Sequence, residues 1–302
     1  MTFGTTPNVF IAGSGRLAGA LAGALRRAGA PVLGIWGRTP DRVRAAGARA
    51  GVAAFSPAPP DLLLEADVIL VAVADDATAE VAERLAATGM VTKRHVLLKV
   101  SGSKSADEVF ASMKGRVGGV GTLHPLRSVT GLQATPAPPS FKGTIFGVEG
   151  DEAGRTAATT LVEVLGGRAL ALDGAKMALY HAGAAMASNH LIGLLDAAVS
   201  ALAATGLTRG DALSALVPLV QSTVENLTAI GLHAALTGPI ARGDRTTITR
   251  HLEALATHVP EILPVYKATG ERVVEVARAR ASDAVPPPEA LGAIAAALAA
   301  PE

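Results

Sequence analysis

Two histidines lie in stretches where an imidazole could take part in chemistry. His124 belongs to GTLHPLRSVT, residues 121–130, directly after a predicted strand, and His181 belongs to KMALYHAGAAMASNH, residues 176–190. An imidazole exchanges its proton near neutral pH, so either ring could protonate a developing alkoxide or amine. Pro125 keeps the backbone at His124 extended. A structural or solvated histidine fits the same pattern, and both interpretations stay open at this point.

Asn189 is a third candidate for catalysis, on the same predicted helix as His181. A helix turns by about 100° per residue, which places Ser188 within about 20° of His181 and Asn189 about 80° away, on one broad face. Ser188 would contact the substrate if this face borders a cofactor cleft. Lys176 and Tyr180 fall on a different side. The alternative is that these polar groups hydrogen-bond within and between helices.

Loop side chains could bind a substrate carboxylate. The stretch LLKVSGSKS, residues 97–105, ends a predicted parallel strand, and ligands of open α/β sheets bind at the carboxyl ends of strands. Ser101, Ser103 and Lys104 are therefore expected near a nicotinamide or a bound carboxylate. A Gly/Ser loop that caps the next helix explains them equally well. Arg127 could hold a carboxylate through two parallel hydrogen bonds.

The loop LTGPIARGDRTTITRHL, residues 236–252, joins two predicted helices. Gly238-Pro239 favours a turn, and Asp244 is predicted to cap the helix that follows. Arg242 has two open roles, since it could pair with Asp244 or contact a bound substrate. The chain has no cysteine, which excludes thiolate metal sites, disulfides and cysteine nucleophiles, and no metal site is predicted.

The N-terminal stretch VFIAGSGRLAGALAGALRRAGA, residues 9–30, carries a glycine-rich turn between a predicted strand and a predicted helix. Gly13, Gly15 and Ala18 match G-x-G-x-x-G/A, the turn that holds the pyrophosphate of a dinucleotide at a helix N-terminus. A purely structural glycine turn is the alternative. The residues expected to contact a cofactor are Gly13, Ser14, Gly15, Arg16, Leu17, Arg38, Thr39, Val73 and Ala74.

The end of the second predicted strand favours NADP over NAD. An NAD-binding domain usually carries Asp or Glu about 20 residues after the glycines, where it binds the ribose 2′-hydroxyl. This chain has Trp36-Gly37-Arg38-Thr39 there, without an acid. Arg38 can pair with a 2′-phosphate, Thr39 can donate to it, and Arg16 could lie nearby. An ordinary surface arginine is the alternative for Arg38.

Strands that alternate with helices predict an α/β domain with a doubly wound parallel sheet, followed by an all-α domain. The predicted strands cover residues 8–12, 31–36, 52–55, 66–73, 95–100, 117–123, 143–150 and 168–173. The predicted helices cover about 16–29, 40–49, 77–88, 152–165, 174–204, 208–230, 245–258 and 260–281. The expected domains are an NADP-binding Rossmann domain at 1–173, a helical substrate and dimerisation domain at 174–282, and a loosely packed Pro/Ala-rich tail at 283–302.

The composition fits a cytoplasmic protein with a sizeable core. Of the 302 residues, 49% are apolar and 18% are charged, and the net charge of +1 without a basic cluster argues against nucleic acid as a partner. The apolar segment 175–204 could span a bilayer by length, but it contains polar side chains that are costly in lipid. It is therefore predicted to be a buried helix of a soluble protein with no membrane partner. Its few charges also predict a homodimer.

Four separated motifs resemble one family of bacterial proteins. GSGRLAG at 13–19, HPL at 124–126, YHAGAAMASNH at 180–190 and LTGPIARGD at 236–244 occur in the order found in Rossmann-like proteins with a C-terminal DUF2520 domain. The resemblance extends to about residue 280. More distantly, the layout resembles the 6-phosphogluconate dehydrogenase-like superfamily, which includes ketopantoate reductase, pyrroline-5-carboxylate reductase and prephenate dehydrogenase. This resemblance implies use of NAD(P) and dimerisation through the helical domain.

The resemblance also suggests roles for individual residues. Likeness to prephenate dehydrogenases implies that His124 bonds the substrate hydroxyl. Ketopantoate reductases use a Lys followed by Asn at short helical spacing, whereas Lys176 is followed here by Tyr180, and the nearby Asn is Asn189. That departure argues against a direct transfer of the Lys/Asn mechanism.

The resulting interpretation is an NADP-dependent oxidoreductase that reduces a small carbonyl or imine bearing a carboxylate, with ketopantoate as the first substrate to test. His124 or His181 would supply the proton, and Ser101, Arg127 and Asn189 would orient the substrate. A cyclic imine of the pyrroline-carboxylate type or a prephenate-type substrate is one alternative. A non-catalytic NADP-binding sensor or scaffold is the other.

Overall fold

The computed structural model describes residues 6–130, 140–280 and 286–300. Its contacts divide the chain into two compact units, Met1–Met186 and Ala187–Glu302. The boundary predicted after Asp173 lies earlier than this division, because the helix that carries Tyr180 packs on the first unit through His124.

An eight-stranded sheet with the order β3-β2-β1-β4-β5-β6-β7-β8 forms the centre of the first unit. Its strands are β1 (Val9–Ala12), β2 (Val32–Trp36), β3 (Ala54–Phe55), β4 (Val68–Val71), β5 (Val96–Lys99), β6 (Gly119–Pro125), β7 (Ile145–Gly150) and β8 (Arg168–Ala171). Every predicted strand is present. The doubly wound α/β fold with a helical C-terminal region is thus confirmed.

The sheet departs from a parallel arrangement at one pair of strands. β6 and β7 are antiparallel, with His124 opposite Gly147, while β7 and β8 are parallel to each other. The last two strands therefore run against the other six. A parallel connection needs a crossover, usually a helix, whereas antiparallel neighbours do not. The sequence ATPAPPS at 134–140, between β6 and β7, is predicted to be a loop and lies almost entirely outside the described residues.

Helices cover both faces of this sheet. One face packs on α1 (Arg16–Arg27), α2 (Pro40–Ala50) and α5 (Glu152–Val164), and the other on α3 (Asp75–Ala86) and α4 (Ala106–Val109). Two buried faces explain the continuous apolar runs of the strands. The polar loops at the carboxyl ends of the parallel strands consequently meet at one edge. The unit ends with α6 (Met177–Ala185).

The second unit is helical throughout its described residues, 187–280 and 286–300. Its helices are α7 (Leu191–Ala203), α8 (Arg209–Ile230), α9 (Gly238–Ala241), α10 (Arg245–His258), α11 (Leu263–Arg278) and α12 (Pro288–Ala299). Asp244 caps α10 as predicted, by accepting the Thr247 N–H at 3.0 Å.

The C-terminal tail is packed more tightly than the sequence suggested. Its helix α12 buries Leu291, Ile294 and Leu298 against Ile248 of α10 and Val274 of α11. The tail sequence is rich in alanine but places a large apolar residue every three or four positions, which is the spacing of a helix face that packs on a core.

The long apolar helix predicted at 174–204 is interrupted by a π-helical segment, Met186–His190, between α6 and α7. In the described part of the chain, Gly174–Ala203 is the one helical run whose length and composition would allow it to cross a membrane. The expectation that it is buried is wrong for the single chain, because only 11% of its most apolar window is buried. Ile192, for example, is 68% exposed. An apolar sequence of this length favours burial within one chain. The fold instead buries few of the side chains of this helical run.

A cavity of about 620 Å³ lies among α7, α10 and α11 of the second unit, and we call it the helical cavity. Its wall is mostly alanine, leucine, valine and isoleucine. Tyr266 also lines it, and its hydroxyl hydrogen-bonds to Nδ1 of His251 at 2.8 Å, with the two rings nearly perpendicular. The complete lining is Leu194, Ala197, Ala198, Ala201, Leu202, Ala204, Thr205, His251, Ala254, Leu255, His258, Val259, Ile262, Val265, Tyr266 and Thr269.

Candidate active site

The glycine-rich turn between β1 and α1 has the geometry of an anion site. Gly13 has a φ of 138°, and a Cβ there would collide with the carbonyl oxygen of Ala72. A Cβ at Gly15, in contrast, would meet no atom within 4 Å. α1 begins at Arg16 with no side-chain cap and no acidic residue in its first turn. Its first N–H groups and the space above Gly15 therefore fit a pyrophosphate.

This turn opens into a cleft of about 630 Å³ at the carboxyl edge of the parallel strands. Four of the lining side chains are arginines and none is acidic, so the wall attracts a polyanion. All nine residues predicted to contact a cofactor line it. The lining is Gly13, Ser14, Gly15, Arg16, Leu17, Trp36, Gly37, Arg38, Thr39, Arg42, Ala72, Val73, Ala74, Ala77, Val81, Val100, Ser101, Gly102, His124, Arg127, Val129 and His181.

Two arginines and a threonine meet in the part of the cleft that follows β2. Arg38 and Arg42 both line it, and Arg38 also approaches Glu80 at 3.7 Å, in an ion pair whose two side chains are 61% and 66% exposed. Such an exposed pair is weak and can be exchanged for a bound anion. Thr39 precedes α2 without using its side chain as a cap. Sequence reasoning missed Arg42, although it lies only one helical turn beyond Thr39.

A histidine and a tyrosine are paired at the end of β6. The hydroxyl of Tyr180, on α6, lies 2.8 Å from Nδ1 of His124, and the rings are nearly perpendicular at 84°. Gly102, in the loop after β5, and Gly147, on β7, leave room for both side chains. A Cβ at Gly102 would stand 2.9 Å from His124 Nδ1, and a Cβ at Gly147 would stand 2.5 Å from the tyrosine oxygen. The sequence analysis put Tyr180 on another side of its helix and gave it no role.

Burial keeps the His124 imidazole neutral. Desolvation is the main cause that lowers its pKa to about 4, and electrostatic interactions with His181 and Lys99 lower it further, against the opposing effect of Asp75. Burial also raises the pKa of Tyr180 to about 12. At neutral pH the pair therefore carries no charge. This finding corrects the expectation that His124 exchanges its proton near neutral pH.

Behind His124 lies a fully buried lysine that sequence reasoning did not select. Lys99, at the end of β5, is 0% exposed and donates from Nζ to the carbonyl oxygen of Ser101 at 2.7 Å. Burial lowers its pKa to about 8, although the carboxylates of Glu149 and Asp75 act in the other direction. The sequence did contain a signal for this residue, because Lys99 ends the apolar strand VLLK. A lysine is rarely buried without partners, so its position at the end of a buried strand indicates nearby acceptors or carboxylates.

The carboxylates near Lys99 are held by hydrogen bonds. Glu149 accepts the backbone N–H of Ala106 at 2.7 Å and also the hydroxyl of Thr122. Asp75 accepts the hydroxyl of Ser103. Burial of Asp75 acts to raise its pKa, but the nearby hydroxyls of Ser101 and Ser103 and the charges of Lys99 and His181 together lower it.

Two polar atoms in the cleft wall have no hydrogen-bond partner. Oγ of Ser101 and Nδ1 of His181 are both buried and unpartnered in the structure, and both residues line the cleft. The Ser101 hydroxyl favours the charged form of Asp75, although no hydrogen bond of normal geometry joins the two side chains. Buried polar groups are nearly always satisfied in folded proteins. Two such groups beside the neutral His124, whose ring centroid lies 5.8 Å from that of His181, are therefore a place where a polar ligand would bind.

Other predicted substrate residues divide between the cleft and its surroundings. Arg127 lines the cleft. Ser103 does not line the cleft, and its hydroxyl donates a hydrogen bond to Asp75. Lys104 pairs with Glu108 at 3.4 Å on the surface of the first unit. Among the described residues, no group of three or more His, Cys, Asp or Glu side chains is arranged to hold a metal ion.

Three predicted site residues belong to the second unit. Ser188 is half-buried, and Asn189 and Arg242 are exposed. The helical wheel that grouped Ser188 and Asn189 with His181 assumed a regular α-helix. The π-helical segment Met186–His190 breaks that assumption, because its i→i+5 bonds reduce the rotation per residue.

Two sequence families match separate parts of the chain. Residues 8–114 match the family described as NADP oxidoreductase, coenzyme F420-dependent. Residues 144–273 match the domain of unknown function DUF2520. The resemblance to Rossmann-like proteins with a C-terminal DUF2520 domain is thereby confirmed. A search of curated proteins finds no match.

Solved structures share the fold over most of the chain. A Bacteroides fragilis protein, provisionally described as an NADP oxidoreductase, is 20% identical with a TM-score of 0.70, covering 89% of this chain and 98% of its own. A Thermotoga maritima protein is 23% identical with a TM-score of 0.66, covering 89% and 98%. A reductive aminase from Aspergillus terreus, in complex with NADPH and ethyl-5-oxohexanoate, is 17% identical with a TM-score of 0.63, covering 95% and 98%. The fold is that of NADP-dependent oxidoreductases.

Proposed function

Starting from this oxidoreductase fold, we propose that the protein uses NADPH to reduce a small carbonyl or imine that bears a carboxylate. One observation carries the proposal. A single cleft joins an anion-binding glycine turn and four arginines to a neutral, half-buried histidine with two unpartnered polar groups beside it. The first part fits a phosphorylated cofactor, and the second fits the polar end of a small substrate.

NADPH fits the cleft better than NADH. The N–H groups at the start of α1 would hold the pyrophosphate, and Arg38, Thr39 and Arg42 would hold the 2′-phosphate. No acidic side chain among the lining residues is available to select a free 2′-hydroxyl. When bound, the reduced nicotinamide supplies a hydride.

The substrate would bind through its carboxylate and its reducible group. Arg127 is the lining cation suited to the carboxylate, because a guanidinium binds two oxygens at once. His124, His181 and Ser101 would surround the reducible group. Ketopantoate is the first compound to test. A cyclic imine is the next candidate, since a reductive aminase with this fold was solved with NADPH, and a prephenate-type compound follows.

A non-catalytic NADP-binding sensor is the competing function. It would need the cofactor but not the histidine, whereas the enzyme needs both. The unpartnered Ser101 Oγ and His181 Nδ1 favour the enzyme, because a sensor has no use for a polar pocket beyond the cofactor.

Cofactor titration followed by a substrate screen tests the proposal. NADPH and NADH are titrated separately into the purified protein, and oxidation of the preferred one is then followed with 2-oxoacids, cyclic imines and prephenate. Tighter binding of NADPH and turnover of at least one compound are expected. Equal or tighter binding of NADH would refute the cofactor assignment. NADPH binding without turnover of any compound in the screen would favour the sensor.

We also propose that the protein is a cytoplasmic homodimer without nucleic-acid or membrane partners. The exposed apolar face of α7 and α8 supports a second copy as its cover, with Ile192, Leu219 and Ile230 each more than half exposed. Light scattering is expected to give twice the 30.3 kDa chain mass. Ile192→Lys should shift the particle toward the monomer, and Leu64→Lys, on the first unit, should not. A monomeric wild type would contradict the proposal.

A further inference from the structure

We propose that Tyr180 fixes the tautomer of His124, so that the imidazole offers its Nε2–H to an uncharged carbonyl oxygen of the substrate. The inference rests on the proposed function and narrows it, from carbonyls and imines to ketones and aldehydes. Tyr180 is a positioning residue in this scheme, because it acts on the substrate only through His124.

The chemistry of the two groups sets the direction of their hydrogen bond. The Tyr180 oxygen lies 2.8 Å from His124 Nδ1. A phenol O–H is a stronger donor than a neutral imidazole N–H, and an unprotonated imidazole nitrogen is a stronger acceptor than a phenol oxygen. Nδ1 must then be the acceptor, and the single proton of a neutral imidazole must reside on Nε2.

The two glycines show that the pair is built into the sheet edge. Gly147 lies directly opposite His124 in the β6–β7 ladder, and any side chain there would displace the Tyr180 hydroxyl. A side chain at Gly102 would displace the imidazole itself. Both partners are thus confined to the positions in which they meet.

The charged groups around His124 come from three elements. Lys99 faces it from β5, His181 from α6 together with Tyr180, and Asp75 from α3. The positive charges and the loss of solvent outweigh Asp75 and keep the pKa of the imidazole at about 4. A second proton on the ring is therefore disfavoured at neutral pH, and the tautomer decides what the ring offers.

A neutral N–H donor suits one kind of substrate group. A carbonyl oxygen accepts such a hydrogen bond, whereas the iminium that a hydride attacks has no lone pair on its nitrogen. As the hydride forms the new C–H bond, the substrate oxygen takes the Nε2 proton and Tyr180 passes its hydroxyl proton to Nδ1. The imidazole ends neutral with its tautomer reversed, and water later returns a proton to the phenolate.

Nitrogen NMR of ¹⁵N-histidine-labelled protein tests the tautomer without a substrate. Signals of His124 are identified by their loss in His124→Asn. At pH 7 the wild type is expected to show a protonated Nε2 and an unprotonated Nδ1. Tyr180→Phe should move both signals toward the averaged values of a tautomer mixture, and Tyr266→Phe, the matched control, should leave them unchanged.

Gly147→Ala gives an independent variant, because it keeps the tyrosine but displaces its hydroxyl. It should produce the same averaging as Tyr180→Phe. The proposal is overturned by a proton on Nδ1 in the wild type, a result that needs no variant to fold. It is equally overturned by unchanged His124 signals in folded Tyr180→Phe.

Kinetics test the substrate class separately. With a reducible ketone or aldehyde, kcat/KM is expected to change by less than about twofold between pH 7 and pH 5, since the donor is already neutral. An imidazolium acid with a pKa of about 4 would instead raise the rate about tenfold per pH unit over this range, and that rise would overturn the scheme. Faster reduction of a cyclic imine than of its keto analogue would overturn the substrate class. Failure to bind NADPH would refute the proposed function but leave the tautomer result standing.

Discussion

The cleft of the first unit and the helical cavity of the second have nearly the same volume, about 630 and 620 Å³. Beside each stands one of the two tyrosines of the chain. In each case its hydroxyl lies 2.8 Å from a histidine Nδ1, and the two rings are 84° apart. The same pair of groups is therefore held in the same geometry in two regions of one molecule.

The surroundings of the two pairs differ in every respect that matters for chemistry. His124 lies between a buried lysine and a cleft with four arginines, whereas His251 is exposed and its cavity has no Asp, Glu, Lys or Arg among its lining residues. A His–Tyr pair alone is thus no sign of a site. Burial, neighbouring charge and unpartnered polar atoms distinguish the first pair from the second.

Substitution of the histidine in each region should give the largest difference in turnover between the two regions. His124→Asn is expected to lower turnover of a verified substrate by about 10²–10⁴-fold, the scale for a group that gives a proton in the transition state. NADPH affinity should hardly change, because no phosphate contact is lost. His251→Asn should leave turnover unchanged. Near-full activity of His124→Asn in steady-state assays would show that the two His–Tyr pairs do not differ in their effect on turnover.

Removal of each tyrosine hydroxyl should give a smaller effect of the same kind. Tyr180→Phe is expected to reduce kcat by about 10–100-fold, as for other outer partners of a functional imidazole, with little change in KM. Tyr266→Phe serves as the control and should match the wild type. Equal kinetics for both variants would show that the hydrogen bond to His124 has no part in turnover.

The arginines of the cleft provide a third contrast. Arg38→Ala is expected to weaken NADPH binding by about 1–3 kcal/mol, the range for loss of a charged hydrogen-bond partner, and to leave NADH binding unchanged. Arg44→Ala is the matched control, since Arg44 lies nearby on α2 but pairs with Asp41 and does not line the cleft. Calorimetric titration of both variants checks this, and equal losses for the two cofactors would contradict it.

The half-buried histidine should also make the fold sensitive to acid. The pKa of His124 is about 4 in the folded protein, against an ordinary value of 6.5. As the pH falls from 6.5 to 4, His124 therefore becomes protonated in the unfolded chain but stays neutral in the folded protein. His124 thus lowers stability between pH 6.5 and 4, by on the order of 1–2 kcal/mol at pH 5. Urea unfolding of His124→Asn should show a smaller loss between pH 7 and pH 5 than the wild type. Parallel losses would argue against a half-buried, neutral ring.

Local sequence patterns were sufficient for much of the fold and for many of the residues that line the cleft. The glycine turn, Arg38 and Thr39 lie in short segments that each follow a strand, and the ends of parallel strands converge by topology. His124 and Ser101 were found by the same rule. These predictions needed only the order of strands and helices.

The partners of His124 could not be found in this way. Tyr180 is 56 residues away in sequence and meets His124 only because α6 packs beside the antiparallel pair β6–β7. A helical wheel cannot reveal such a contact. It also cannot place the side chain of Asn189, because the π-helical segment that contains this residue changes the rotation of the helix.

The wall of the cleft, with its four arginines and no acid, also has a kinetic meaning. Long-range electrostatic attraction should bring a phosphorylated dinucleotide to the cleft faster than an uncharged molecule of the same size. Dissolved ions screen this attraction, with a Debye length of about 8 Å at physiological ionic strength. The association rate should therefore fall steeply as ionic strength rises, while the dissociation rate changes much less. Inorganic phosphate should compete with the cofactor, so the choice of buffer alone would alter the apparent affinity.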